Sequence, residues 1–144
     1  MNLENIIPKD GPSIEEVKKY IKKYSNELIV IKCGGSVLLD VVLFNQFIED
    51  ISAINHLGLS VIVVHGGGKN IKKELDKHKI ESKFIDGLRV TDENTMKIVE
   101  KALLELNTEI LNNLTNKEAN AKSVTPKSEN IIKITPEKKE LGFV

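Results

Sequence analysis

The spacing of apolar positions changes several times along this chain, and each change marks an element. Ile14, Val17, Tyr20, Ile21 and Tyr24 recur at helical intervals. Ser13 stands before them as a cap, Glu15 and Glu16 open the stretch, and Lys18, Lys19, Lys22 and Lys23 follow. Acid first and base last is the order a helix dipole favours. The pattern then collapses to a short β-branched run, Glu27-Leu-Ile-Val-Ile-Lys32, ending at Cys33-Gly34-Gly35-Ser36. Helical spacing returns with Leu43, Phe44, Phe47, Ile48, Ile51, Ile54 and Leu57, and Gly58 is placed to stop it. A second run, Val61-Ile-Val-Val64, leads into His65 and Gly66-Gly67-Gly68, and a lysine-rich helix follows over about 69–79.

Both runs are apolar on both faces, which predicts buried parallel strands. Strand, glycine turn, helix, repeated, predicts a right-handed βαβα unit. Residues 82–91 predict a hairpin turning at Asp86-Gly87. Thr91 or Asp92 can cap a long helix whose buried face is marked by Met96, Val99, Leu103, Leu106, Ile110 and Leu114, and which ends near Asn116. Two short strands are expected around 121–125 and 130–135, across Pro126–Asn130. Residues 1–13 read as a tail punctuated by Pro8, Gly11 and Pro12. The apolar end, Leu141-Gly-Phe-Val144, reads as a chain cut inside a strand.

Composition narrows the class. The chain has 144 residues, 40% apolar and 29% charged, enough for a core. Lys plus Arg equals Asp plus Glu at 21 each, without the basic excess of a general nucleic-acid binder. The single cysteine forms no internal disulfide, and no Cys/His cluster has zinc spacing. No apolar stretch reaches a membrane span, and the N-terminus lacks the pattern of a signal peptide. The expectation is a cytoplasmic globular protein with neither nucleic-acid nor membrane partners.

The candidate chemistry sits at the two glycine turns. Both follow parallel strands at their carboxyl ends, the edge where α/β sheets bind ligands. Glycine lets backbone N–H groups approach an anion, and the following helix presents its positive end. The common nucleotide motifs do not fit: Gly68-Lys69 is followed by Asn70 with Val63 five places before Gly68, and Ile71 stands where a dinucleotide fingerprint needs glycine. Lys32, last in its strand, is read as reaching into the cleft to neutralise a phosphate rather than as a snorkelling strand-end lysine. Lys69, Lys72 and Lys73 crowd a helix start, where cations are disfavoured; a bound anion would offset that, and a solvated basic face is an equal reading of Lys72 and Lys73. His65 is read as a structural hydrogen bonder and Cys33 as a small buried residue. Arg89, the one arginine, is either a fork for a carboxylate at the cleft or a surface residue paired to an acid.

Ile29-Val-Ile-Lys-Cys-Gly-Gly-Ser36, Val61-Ile-Val-Val-His-Gly-Gly-Gly68 and Asp86-Gly-Leu-Arg-Val-Thr-Asp92 resemble, in order and spacing, the N-terminal half of the N-acetylglutamate kinases, within the amino-acid kinase family. The likeness runs from about residue 26 to 116, and residues 14–24 resemble the N-terminal helix of the arginine-inhibited hexameric members. It departs at Lys69, where members often carry proline or a small residue, and over Ala119–Asn130, which lacks the usual glycines. The resemblance implies an α/β fold: a three-layer αβα sandwich with a mainly parallel sheet. Residues 1–25 are then a tail and helix, and 26–144 the acceptor-binding lobe, with the nucleotide-binding lobe outside this chain. It also implies transfer of a phosphoryl group from ATP, with Mg²⁺, to the side-chain carboxylate of N-acetyl-L-glutamate in arginine synthesis, by a homo-oligomer, dimer or hexamer. Lys32 would stabilise the transferring group. Gly34, Gly35 and Gly66 would line the phosphate path, Gly67 and Gly68 would hold phosphate and acceptor, and Arg89 would grip the acceptor's α-carboxylate. No protein metal ligand is assigned. Two alternatives stay open: a non-catalytic binding or regulatory relative, and a sister kinase acting on acetylaminoadipate.

Overall fold

The computed structural model describes residues 3–7, 9–128 and 139–142. Helix α1, Ile14–Tyr24, opens on a capping box: Glu16 N–H donates to Ser13 Oγ at 3.3 Å, and Ser13 N–H donates to the Glu16 carboxylate at 3.1 Å. Strand β1 spans Leu28–Cys33 and strand β2 spans Ser60–His65. They pair in parallel, with Leu28 opposite Ser60 and Cys33 opposite His65. Between them lie a short 3₁₀ turn, Val37–Leu39, and helix α2, Val41–His56. Asp40 caps α2, accepting from the N–H groups of Val42 and Leu43, so the helix starts two residues before its first expected apolar position. Gly58, at φ +82°, turns the chain out of it in the left-handed conformation that glycine permits.

Helix α3 spans Gly68–Lys77. Strands β3, Lys83–Ile85, and β4, Leu88–Val90, form the expected antiparallel hairpin. Its two turn residues, Asp86 at φ +50° and Gly87 at φ +81°, both lie in the left-handed region, as a type I′ turn requires. Helix α4, Glu93–Asn116, is about 36 Å long. Its cap is Asp92, whose carboxylate accepts from Thr95 N–H at 2.7 Å.

α4 serves two clusters. Its C-terminal half, through Leu106, Ile110 and Leu114, packs with Phe44, Ile48 and Ile51 of α2 against the sheet. Its N-terminal half, through Ala102, packs on Ile71 and Leu75 of α3. This division corrects the expected buried face. Leu106, Ile110 and Leu114 are buried, whereas Met96, Val99 and Leu103 are half-buried, and Thr95 and Ala102 are buried instead.

Two further expectations are corrected. The strands are not covered on both faces. Ile31, Cys33, Val61 and Val63 meet the helices. Leu28, Val30, Ile62 and Val64 on the other face are exposed, Val30 to 63%. The described residues therefore make a mixed α/β structure on a small parallel sheet with one bare apolar face. The segment 121–125 is not a strand. Side-chain bonds hold it in place of a ladder: Asn120 N–H donates to Asn55 Oδ1 at 3.0 Å, and Ser123 Oγ bonds Asn107 Oδ1. The strand expected at 130–135 lies outside the described residues.

At the chain's end, Lys139–Leu141 is a 3₁₀ turn, and Gly142 forms a lone parallel bridge with Thr91. Here too the expected strand is absent from what is described. Gly142 takes φ +74°, and a β-carbon on it would fall 2.1 Å from the Thr91 carbonyl oxygen. Among the described residues no helix is long and apolar enough to cross a membrane.

Candidate functional site

Parallel pairing of β1 and β2 brings the two glycine turns to one sheet edge. Gly66 N–H donates to the Cys33 carbonyl at 3.2 Å, stitching the turns together where the strands stop. A β-carbon on Gly35 would lie 4.0 Å from the backbone nitrogen of Lys69, so the first turn faces the start of α3. Gly67 is the N-cap of α3 with no side chain capping it, and its carbonyl takes the first helical bond, from Ile71 N–H at 2.8 Å. Among the described residues nothing accepts from the N–H groups of Gly67 or Gly68. Free donors at a helix start, with no acid in the first turn, have the chemistry to receive an anion.

Gly67 itself is fixed by packing. A β-carbon there would fall 2.5 Å from Leu103 Cδ2 of α4. Gly34, Gly66 and Gly68 face open space, so any demand for glycine at these three comes from backbone approach to a ligand rather than from neighbours.

Lys32 is exposed and stands on the bare face of the sheet, in line with Leu28 and Val30. Among the described residues neither Lys32 nor Lys69 has an ion pair or hydrogen bond, so no described carboxylate offsets these two positive charges. Lys72 is bound to Asp76 at 2.9 Å on the exposed side of α3, which is the solvated-face reading of that residue. Cys33 is buried, and burial pushes its thiol pKa up, away from the thiolate that reacts.

Arg89 is half-buried within the hairpin. It pairs directly across from Phe84, its guanidinium carbon 4.7 Å from that ring's centroid, and Nη1 donates to Ser82 Oγ. Neither partner is an acid, and among the described residues Arg89 makes no ion pair. Its described partners belong to the hairpin region and not to the glycine turns.

Two polar residues at this edge escaped the sequence reading. His65 is structural as expected, its ring held from both sides: Nδ1 lies 3.3 Å from the Gly66 carbonyl oxygen, and Nε2 lies 3.2 Å from Asn107 Nδ2. Asn107 Oδ1 then meets Ser123 Oγ. The signal for Asn107 is its position. It falls at helical spacing among Leu103, Ile110 and Leu114, a polar residue on an apolar stripe. Ser123 gave no such signal. The three line one end of a cavity of about 200 Å³ between β2, α4 and the 119–124 segment.

Comparison with known proteins matches this geometry to a family. The acetylglutamate kinase of Pelagibacter ubique (strain HTCC1062) is 54% identical over 142 residues, covering 99% of this chain and 49% of that protein. The acetylglutamate kinase of Campylobacter curvus (strain 525.92) is 45% identical, covering 79% of this chain and 41% of its own length. The chain thus spans about half the length of the curated relatives it matches. Among solved structures, smu.665 from Streptococcus mutans UA159 superposes with TM-score 0.62 at 28% identity, covering 72% of this chain and 42% of that one. The N-acetylglutamate synthase of Neisseria gonorrhoeae, complexed with coenzyme A and N-acetyl-glutamate, shares the fold with TM-score 0.61 at 20% identity, over 74% of this chain and 26% of its own. The model of the amino acid kinase family matches residues 27–141, both glycine turns and the hairpin included, and the chain belongs to that family.

Proposed function

We propose that this chain forms the acceptor-binding lobe of a kinase that phosphorylates the side-chain carboxylate of N-acetyl-L-glutamate with ATP. The observation that carries the reading is the paired-strand edge. Among the described residues the N–H groups of Gly67 and Gly68 are free where α3 opens, and Lys32 and Lys69 have no counter-charge. Relatives with this sequence pattern are named acetylglutamate kinases. Phosphoryl transfer needs alignment and charge neutralisation more than covalent help, and lysine with backbone donors supplies both.

In this reading Lys32 stabilises charge on the transferring phosphoryl group, and Gly34, Gly35 and Gly66 leave room for the phosphates. Gly67 and Gly68 donate to phosphate and acceptor. Arg89, stacked on Phe84, keeps guanidinium donors for the acceptor's α-carboxylate as the hairpin covers the cleft. The described residues offer no cluster of three His, Cys, Asp or Glu side chains able to hold a metal ion. The bare sheet face is where the third layer of a three-layer αβα sandwich packs, its apolar side chains being the support for that layer. The same exposed apolar surface supports self-association.

The test is a titration of the 144-residue chain with N-acetyl-L-glutamate, followed by amide NMR. Gly67, Gly68 and Arg89 signals should move, and ATP alone should change them little. In the whole kinase, Lys32→Ala should lower kcat more than it raises KM. Unmoved Gly67 and Gly68 amides at saturating acceptor would end the reading.

A further inference from the structure

The glycine turn is steered by a hydrogen-bond relay that begins outside the cleft. The Gly66 carbonyl can only accept, so His65 Nδ1, 3.3 Å away, carries the ring proton. In the neutral ring Nε2 is then an acceptor. The Asn107 atom 3.2 Å from it must be the amide NH₂, and the Asn107 oxygen accepts from Ser123 O–H. One carbonyl thus fixes every donor and acceptor along the relay. It crosses three parts of the fold: β2, α4 and the segment after α4.

The relay has a directional consequence. No peptide in the described structure is cis, and in a trans peptide the C=O of one residue and the N–H of the next point opposite ways. Holding the Gly66 carbonyl towards the imidazole therefore points the Gly67 N–H away from it. Cys33 and His65 are register partners whose side chains share the helix-covered face, while Lys32 stands on the other. The Gly67 N–H is thereby turned from the imidazole's side of the sheet. Glycine at 66 and 67 imposes no preference of its own on this peptide, so contacts outside it decide it: the Gly66 N–H bond to Cys33, the packing of Gly67 on Leu103, and the imidazole that holds the Gly66 carbonyl.

We propose that Asn107 and Ser123, acting through His65, are positioning residues that set the Gly66–Gly67 peptide and so aim the Gly67 N–H at the anion. The inference rests on the acceptor-site reading only for what that N–H binds. The orientation of the peptide stands apart from it.

The test reads the ligand-free chain first. Nitrogen-15 NMR of the His65 ring should show a neutral Nδ1–H tautomer. Asn107→Leu removes the donor to Nε2; the ring is then free to move its proton there, and the Gly67 amide should shift and broaden while the α1 amides stay put. Asn107→Asp restores the geometry differently. Its carboxylate favours the imidazolium, which keeps an N–H on Nδ1, so the Gly67 amide should return towards its wild-type position. Ser123→Ala, a milder change, should loosen the same amide and covers the case in which Asn107→Leu does not fold. N-acetyl-L-glutamate affinity should fall roughly two- to tenfold in Asn107→Leu, the loss of about one hydrogen bond, and recover in Asn107→Asp. An Nε2–H tautomer in the wild type, or a Gly67 amide indifferent to Asn107→Leu and Ser123→Ala, overturns the relay. A wild-type chain with the expected tautomer and Gly67 response that ignores N-acetyl-L-glutamate instead overturns the acceptor reading and leaves the relay standing.

Discussion

Gly67 and Leu103 share a space that admits no additional carbon: a β-carbon on Gly67 would sit 2.5 Å from Leu103 Cδ2. The start of α3 is therefore pressed against α4, and the placing of the Gly67 backbone depends on a helix crossing as well as on the turn. Gly67→Ala should cost about 1–3 kcal/mol as Leu103 is forced aside. In a Leu103→Ala background the same change should cost measurably less, because the obstructing atom is gone. Gly68→Ala, which meets open space, should stay within about 0.5 kcal/mol of the parent. Urea unfolding of the four variants and the parent checks all three statements.

The hairpin depends on two left-handed residues in succession. Gly87→Ala puts a side chain at φ +81°, which costs about 1–2 kcal/mol for a residue other than glycine. The hairpin should open locally while the main core survives. Amide exchange should speed up at β3 and β4 and remain slow in α2, and the ring-current shifts that Phe84 imposes on the Arg89 side chain should collapse.

α4 begins on Asp92. Hydrogen bonds from Thr95, the backbone N–H first, hold its carboxyl below the usual aspartate range. The sign follows from the lowered value: this contribution is complete above the unfolded-state pKa and is lost as pH falls through the folded one. Asp92→Ala should destabilise the chain at neutral pH by loss of the cap. The gap between variant and parent should close as the solution is made more acid than that range. Thermal unfolding of both proteins across the acid range measures it.

Cys33 should be chemically quiet. Burial keeps its thiol protonated and closed to reagents. Labelling with a thiol reagent at neutral pH should be slow in the native chain and fast in denaturant. Rapid native labelling would mean the β1 end opens far more readily than its packing suggests.

Elements with a strong local signal were legible from sequence. Ser13 with Glu16, Gly58 and Asp86-Gly87 carry their own stop, start and turn chemistry, and each does in the structure what its chemistry dictates. The glycine turns were legible as a pair because identical strand–glycine–helix order implies parallel neighbours. Three things were not. The bare sheet face was invisible, since an all-apolar strand reads the same whether or not its second face is covered within the chain. The division of α4 between two clusters was hidden because a single periodic stripe does not say where a partner helix crosses it. The Asn107–His65 contact joins residues far apart in sequence, and only the packing of α4 against β2 creates it.

The clasp between Thr91 and Gly142 closes about 50 residues of intervening chain for one hydrogen-bonded bridge, an entropic cost that local contacts do not carry. The hairpin and α4 can form before it, from neighbours in sequence, so the clasp is a late event in folding and an early one in unfolding. Its two anchors are specific: Thr91 N–H donates to the Leu141 carbonyl at 2.8 Å, and Leu141 is buried at 2% exposure. Whatever loosens Leu141 frees the base of the hairpin and, through it, Arg89. The stability of a distant stretch of chain thus bears on how often the hairpin is at rest.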